Sequence, residues 1–456
     1  MNGMSSRIRG MLVAALLPLA LSGAALAATG TASTSPASAV DARDLADAYA
    51  YLLGRAIVLR QEQTDLREPG VAYNTIKYNP AGKADFVNPN LDVAYLEAWI
   101  AVDADTPALL EIPRVEGRYY VAQILDEWGE VITNINERNY PNHPYGKFAL
   151  VAPGSRAAIP ADSVRIELHS NKAKMLGRVE LKGDNAGAVA LQRQFKLSSL
   201  GQPKVRASAP PLAFDNKSLA GMEIFDHADE IIDSALDVSP IAPQMQARAR
   251  HYQQIARDPA QRAALAQVLR DQVVPAFLNF AVTGSGRYQN NWLATIGTGT
   301  YGSDYRKRTA ANLVGLWANT NEEVVYFVVT KDADGQPLNG DNAYVLKFAP
   351  DERPEAMVNA YWSIILVDVP DYRVVPNPMN RFNFNSYSGL KSAPDGSLSL
   401  LFADAPNASL APESNWLPAP KGKGFSLTLR MYVPKQAVLD GKWFPPALQR
   451  VGSATH

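Results

Sequence analysis

The chain has 456 residues, of which 47% are hydrophobic, with 44 basic and 45 acidic side chains and no cysteine. A charge this close to balance gives no electrostatic ground for binding nucleic acid, and without cysteine no disulfide can form, so stability must come from packing. A chain of this length buries roughly three quarters of its surface and divides into two or three domains.

The chain opens on MNGMSSRIRG, with Arg7 and Arg9, and continues into the apolar run MLVAALLPLALSGAALA. A basic start, an apolar stretch and a small-residue end at Ala25-Leu26-Ala27 form a secretory signal over residues 1–27, cleaved between Ala27 and Ala28. The expected location is the periplasm or the exterior. Cleavage leaves 42 basic against 45 acidic residues, a formal charge of −3. No comparable apolar stretch recurs, so no membrane span is expected after cleavage. Residues 28–40, including TGTASTSPASAV, have the composition of a flexible tether.

DARDLADAYAYLLGRAIVL then places Leu45, Tyr49, Leu52, Leu53 and Ile57 at helical spacing, with Asp41 available as the cap. From Asn90 to about Ile166, short runs such as VAYLEAWIAV, RYYVAQILD and KFALVAPG alternate with period two between Pro, Gly and Asn, which predicts a β-sandwich. Residues 41–205 therefore read as a helix plus sandwich domain. Residues 206–320 read as a helical segment, with breaks near Asp258-Pro259 and Pro275. From VVYFVV onward, YVLKF, YWSIILVDV, LSLLFAD and FSLTLRMYV make residues 321–456 a second sandwich or jelly roll.

NLDVAYLEAW, EGRYYVAQILD and KFALVAPG in the first half, and YGSDYRKR, DADGQPLNGDNAYVLKF, YWSIIL, NPMNRF, DGSLSL, NWLPAP, FSLTLRMYVP and LDGKWFPP in the second, resemble the tandem of domain of unknown function 1254 and domain of unknown function 1214. The resemblance implies a mainly β fold with a helical segment: an immunoglobulin-like β-sandwich, then helices, then a C-terminal jelly-roll sandwich. It implies no settled reaction. Val93 stands where the family pattern usually has threonine.

Five histidines, none at ligand spacing, and no cysteine leave little for a zinc site, so no metal is expected. Neither a phosphate loop nor a strand-linked G-x-G-x-x-G is present, and no cofactor is predicted. DADGQPLNGD offers Asp332, Asp334, Asn339 and Asp341 to calcium, but a hairpin between VVYFVV and YVLKF, turning at Asp334-Gly335, explains the same residues.

The candidate catalytic residues are Asp92, Tyr95, Asp126, Tyr301 and Asp304, carboxylates and phenols suited to acid–base chemistry. Arg118 and Asp126 flank RYYVAQILD on one strand face, about 27 Å apart at ~3.4 Å per residue, and meet only if the chain turns. In YGSDYRKR, Asp304 or Ser303 caps a helix, and Tyr301, Tyr305 and Arg308 are expected to line a polar pocket between the helices and the second sandwich. Trp416 in NWLPAP, with Trp362 and Trp443, either packs one end of the jelly roll or offers a platform to a ligand. Asn415, Arg381 and Arg430 supply the amide and guanidinium groups that a carbohydrate or an aromatic acid needs.

The expected function is a cofactor-independent hydrolase or lyase acting on a small polar or carbohydrate-like molecule. The alternative is a non-catalytic ligand-binding or envelope-interaction module, and two carboxylates in one pocket would separate the two. The sequence leaves the oligomeric state open.

Overall fold

The computed structural model describes residues 41–82, 88–205 and 212–451; the expected signal and tether lie outside them. Two sandwiches of two open sheets each stand beside a body of helices. Among the described residues, no helix is long and apolar enough to cross a membrane.

The inner sheet of the first sandwich runs, in spatial order, Lys77–Tyr78, Val93–Ala101, Lys172–Glu180, Tyr120–Leu125 and Val131–Ile135. Its outer sheet runs Ser163–Glu167, Gly146–Val151, Ala108–Ile112 and Lys196–Ser199. Period-two alternation sends Leu96, Ile100, Ile124 and Met175 inward against Leu110, Phe148 and Leu150 of the outer sheet.

In the second sandwich the inner sheet is Arg287–Gln289, Trp292–Ala294, Val324–Val329, Gly424–Tyr432, Trp362–Val369 and Asn383–Asn385. Its outer sheet is Trp416–Pro418, Leu398–Ala403, Ala343–Phe348 and Gln449–Val451. Phe327, Trp362, Leu427 and Leu429 meet Leu346, Phe348, Leu400 and Phe402 in its core.

Three sequence expectations are corrected here. VVYFVV and YVLKF do not form a hairpin: the first pairs with Gly424–Tyr432 and the second with Leu398–Ala403, in opposite sheets. The turn at Asp334-Gly335 exists, with Gly335 at φ +78°. It serves an arch, because Phe327 and Leu346 cover one core from its two sides. Second, the segment 206–320 is not wholly helical, since Arg287–Gln289 and Trp292–Ala294 extend the second inner sheet; it also stays helical past Pro275, through π turns at Leu269–Val273 and Phe280–Gly284.

Third, the N-terminal helix Ala42–Asp65, capped by Asp41, does not belong to the first sandwich. From Ala48 to Leu59 it is buried on every face, so one sheet cannot cover it. Its Tyr49, Leu52 and Leu53 share a core with Phe225, Met245, Leu265 and Leu313 of the surrounding helices. Gly54 permits the closest approach: a Cβ there would lie 2.4 Å from Thr309 Oγ1 on the helix Tyr305–Gly315.

Candidate functional site between the two inner sheets

In the central strand of each inner sheet most of the residues that alternate with the core side chains are polar. In Lys172–Glu180 they are Lys172, Lys174, Arg178 and Glu180; in Gly424–Tyr432 they are Ser426, Thr428, Arg430 and Tyr432. A polar face on a period-two strand ordinarily meets water. Here both faces are buried against each other. Across the layer, Tyr119 Oη donates to Glu323 at 2.9 Å, Asn90 Nδ2 to Tyr432 Oη at 2.6 Å, and Tyr387 Oη to Glu180 at 2.7 Å. Val93 and Val121 pack on Val324, Tyr361 and Tyr432 between these bonds.

At one end of the layer the opposite charges are paired. Lys172 bridges Glu62 at 2.7 Å and Glu127 at 3.2 Å, and Lys174 bridges Glu97 at 2.8 Å and Asp65 at 3.1 Å. Burial works against the charge of Glu97, but Lys174, Asn79 and Lys77 hold its carboxyl down to about 2. The acids Glu62 and Asp65 come from the last turns of the N-terminal helix, which ties the helical body to the first sandwich.

The other end is not paired. Arg178, 3% exposed, donates from Nη1 to Gln123 at 2.8 Å and leaves Nε without a partner. Arg430, also 3% exposed, donates from Nη2 to the Asn88 carbonyl at 3.0 Å and leaves Nε and Nη1 without partners. Neither makes an ion pair among the described residues. Tyr95 lies opposite Arg178 and Tyr326 opposite Arg430, and both rings are half-buried. Burial raises the Tyr326 phenol and Tyr95 adds to it, while Arg178 and Arg430 both pull it down, so the two guanidinium groups flank one phenol.

Asp92 closes this end. Its Oδ1 accepts from Asn383 and Asn385, each at 2.9 Å, and its Oδ2 has no partner. Burial pushes its carboxyl above the usual range, against Ser363, Asn385, the Arg430 charge and Asn383, which favour the anion. Tyr361 and Tyr432 stack with ring centroids 4.2 Å apart, and Tyr119 meets both edge-on. Burial raises all three phenols well above their ordinary value, so they stay protonated as donors.

Of the residues predicted from sequence, Asp92, Tyr95 and Arg430 meet here, and the others lie elsewhere. Asp126 does not meet Arg118. Its Oδ1 accepts the Trp128 and Glu130 amides at 2.9 Å each and its Oδ2 accepts from His169 at 2.8 Å, whereas Arg118 pairs with Asp184 at 3.0 Å. The chain does turn after Leu125, but it folds Asp126 toward the helices.

Tyr301 and Arg308 join that cluster, where the helices meet the first sandwich and not the second. Glu130 accepts the Tyr301 amide at 2.9 Å, and Arg308 forms a two-bond pair with Asp237 at 3.1 and 2.8 Å, over the Trp128 ring. Asp304 caps its helix by accepting the Lys307 amide at 3.0 Å and makes no pair with Arg308. Tyr305 rests edge-on against Tyr51.

His169 carries a pH expectation. Its hydrogen bond to Asp126 raises its pKa and burial opposes the rise. A raised folded-state value means that the contribution is complete below the unfolded value of about 6.5 and is lost as pH rises through the folded one. Thermal melts of wild type and His169→Gln should therefore differ most in acid and converge in alkali. A constant gap across that range would contradict the ion pair.

NWLPAP and YGSDYRKR occupy different clusters and build no common pocket. The indole of Trp416 packs on Leu401, Ala403 and Ala411, outside the second core, and its N–H donates to the Ala403 carbonyl at 2.9 Å. One side of the ring borders a hollow of about 560 Å³ with Pro376, Pro378, Met379 and Pro420. Asn415 is bonded to both the Lys391 amide and its carbonyl, and Arg381 to the Glu413 and Trp416 carbonyls, so both knit the loop together. Trp362 and Trp443 share the second core, on the far side of the outer sheet from Trp416.

Sequence reasoning missed Arg178, Glu180, Tyr326, Tyr361 and Tyr432. The available signal was a polar side chain on nearly every second residue of KAKMLGRVE and of FSLTLRMYV, a pattern that solvent exposure explains equally well.

Residues 71–199 match the model of a family described as Protein of unknown function (DUF1254), and residues 323–436 match one described as Protein of unknown function (DUF1214). The chain belongs to the family that carries these two domains in tandem. It is similar to the crystal structure of the VPA0106 protein from Vibrio parahaemolyticus, at 21% identity and a TM-score of 0.67, over 90% of this chain and 100% of that one; this likeness shows the fold. A protein from Burkholderia cenocepacia matches at 13% identity and a TM-score of 0.44, over 91% of this chain and 97% of that one. Comparison with the curated proteins gave no match.

Proposed function

We propose that the protein is exported and that its mature form holds a small polar ligand between the two inner sheets, beside Asp92, Arg178 and Arg430, as a non-catalytic binding protein. One observation carries this reading: buried polar atoms without partners on Asp92, Arg178, Tyr361 and Arg430 fall together in one layer between two domains. Buried polar groups are nearly always bonded, and sites favour domain interfaces. Tyr95 and Tyr326, beside these groups, are only half-buried.

The test is a thermal-shift screen of polar small molecules on wild type, Tyr95→Ala and Tyr326→Ala. A true ligand raises the wild-type melting temperature and loses most of that effect in both variants. Hits that act equally on all three proteins would refute the site. N-terminal sequencing of the exported product should begin at Ala28, and a full-length product would end the export reading.

A second reading, acid catalysis at the same place, is favoured by the raised pKa and free Oδ2 of Asp92. Asp126 and Asp304 are engaged elsewhere, so neither supplies the second carboxylate that glycosidic hydrolysis needs. Turnover of glycosides, esters or amides that disappears in Asp92→Asn would select this reading over simple binding.

A further inference from the structure

We propose that the ligand of this layer carries an oxyanion, a carboxylate or a phosphate, clamped between Arg178 and Arg430. The inference rests on the reading of the layer as a binding site. Three guanidinium groups and three carboxylates face it: Arg138, Arg178 and Arg430 against Asp92, Glu180 and Glu323. Arg138 and Glu323 pair at 2.7 Å. Glu180 accepts from the Tyr119 amide at 2.7 Å and from Tyr387 Oη at 2.7 Å, and Asp92 Oδ1 accepts from two asparagines. No carboxylate is thereby bonded to Arg178 or Arg430.

The contrast along one strand is direct. Lys172 and Lys174 each meet two acids, whereas Arg178, on the same face, meets none among the described residues. Unpaired buried charge is costly, and guanidinium is the group best shaped for carboxylate or phosphate.

The remaining free atoms agree. Arg178 Nε, Arg430 Nε and Nη1 and Tyr361 Oη can all donate, against Asp92 Oδ2 and Asn134 Oδ1 on the acceptor side. Two guanidinium groups with no carboxylate bonded to them select a ligand rich in acceptors and negatively charged.

The experiment is calorimetric titration of the purified protein with sodium benzoate, inorganic phosphate, benzyl alcohol and methyl glucoside at matched ionic strength. Benzoate or phosphate should bind and the neutral compounds should not, and the anion that binds identifies the group. Arg178→Met and Arg430→Met should each weaken binding roughly tenfold or more, since a hydrogen bond to a charged group is lost. Neither should melt below wild type, because each substitution removes a buried charge that has no ion-pair partner. Arg178→Lys keeps the charge and should retain part of the affinity.

If a neutral compound binds and loses affinity in Tyr95→Ala but not in the arginine variants, the site stands and the anion assignment falls. If nothing binds, both fall. Arginine variants that melt well below wild type without any effect of anions would make these residues structural, which also overturns the proposal.

Discussion

In the Arg308→Met variant the urea midpoint is expected to fall by the equivalent of about 3–5 kcal/mol, the cost of removing one member of a buried ion pair. Both side chains of the Arg308–Asp237 pair are 2% exposed, so solvent screening offers little relief. Methionine replaces part of the packing over Trp128 but leaves the Asp237 carboxylate with neutral partners alone, the Ser239 amide at 2.9 Å among them. Arg308→Met combined with Asp237→Asn should recover part of the loss, because the stranded charge is then gone. If the double variant is as unstable as the sum of the two single ones, the pair does not act as a unit.

Trp416→Ala should lower stability by about 3–5 kcal/mol, the usual cost of emptying a buried indole site. The ring is 9% exposed, and its N–H is bonded to the Ala403 carbonyl. Leu417, fully buried in the second core, should cost about 2–5 kcal/mol when cut to alanine. Melts of the two variants should therefore be depressed to a similar degree. A Trp416→Ala protein that melts like wild type would return the indole to the hollow it borders and reopen a ligand role there.

Much of the secondary structure was legible. The cap at Asp41, the period-two strands of both sandwiches and the helix after Asp304 each follow from local rules that need no partner: a side chain satisfying its own first turn, or alternation along a strand. The candidate site was legible only in fragments. Asp92, Tyr95 and Arg430 could be picked out as chemically capable groups, but Arg430 stands far along the chain from the other two, and nothing local marks it as their neighbour.

The sequence by itself determined which face of each strand is apolar, and with it the two sandwich cores. What the polar faces meet was decided by the tertiary structure. A strand with Lys172, Lys174, Arg178 and Glu180 on one side is equally consistent with water and with a second sheet that supplies matching groups. Only the docking of the two inner sheets makes that face a buried layer. The same docking, with the N-terminal helix bringing Glu62 and Asp65 to one end, neutralises Lys172 and Lys174 and leaves Arg178 and Arg430 unpaired. Pairing of charge depends on distance in space, and sequence spacing along separate strands does not contain it.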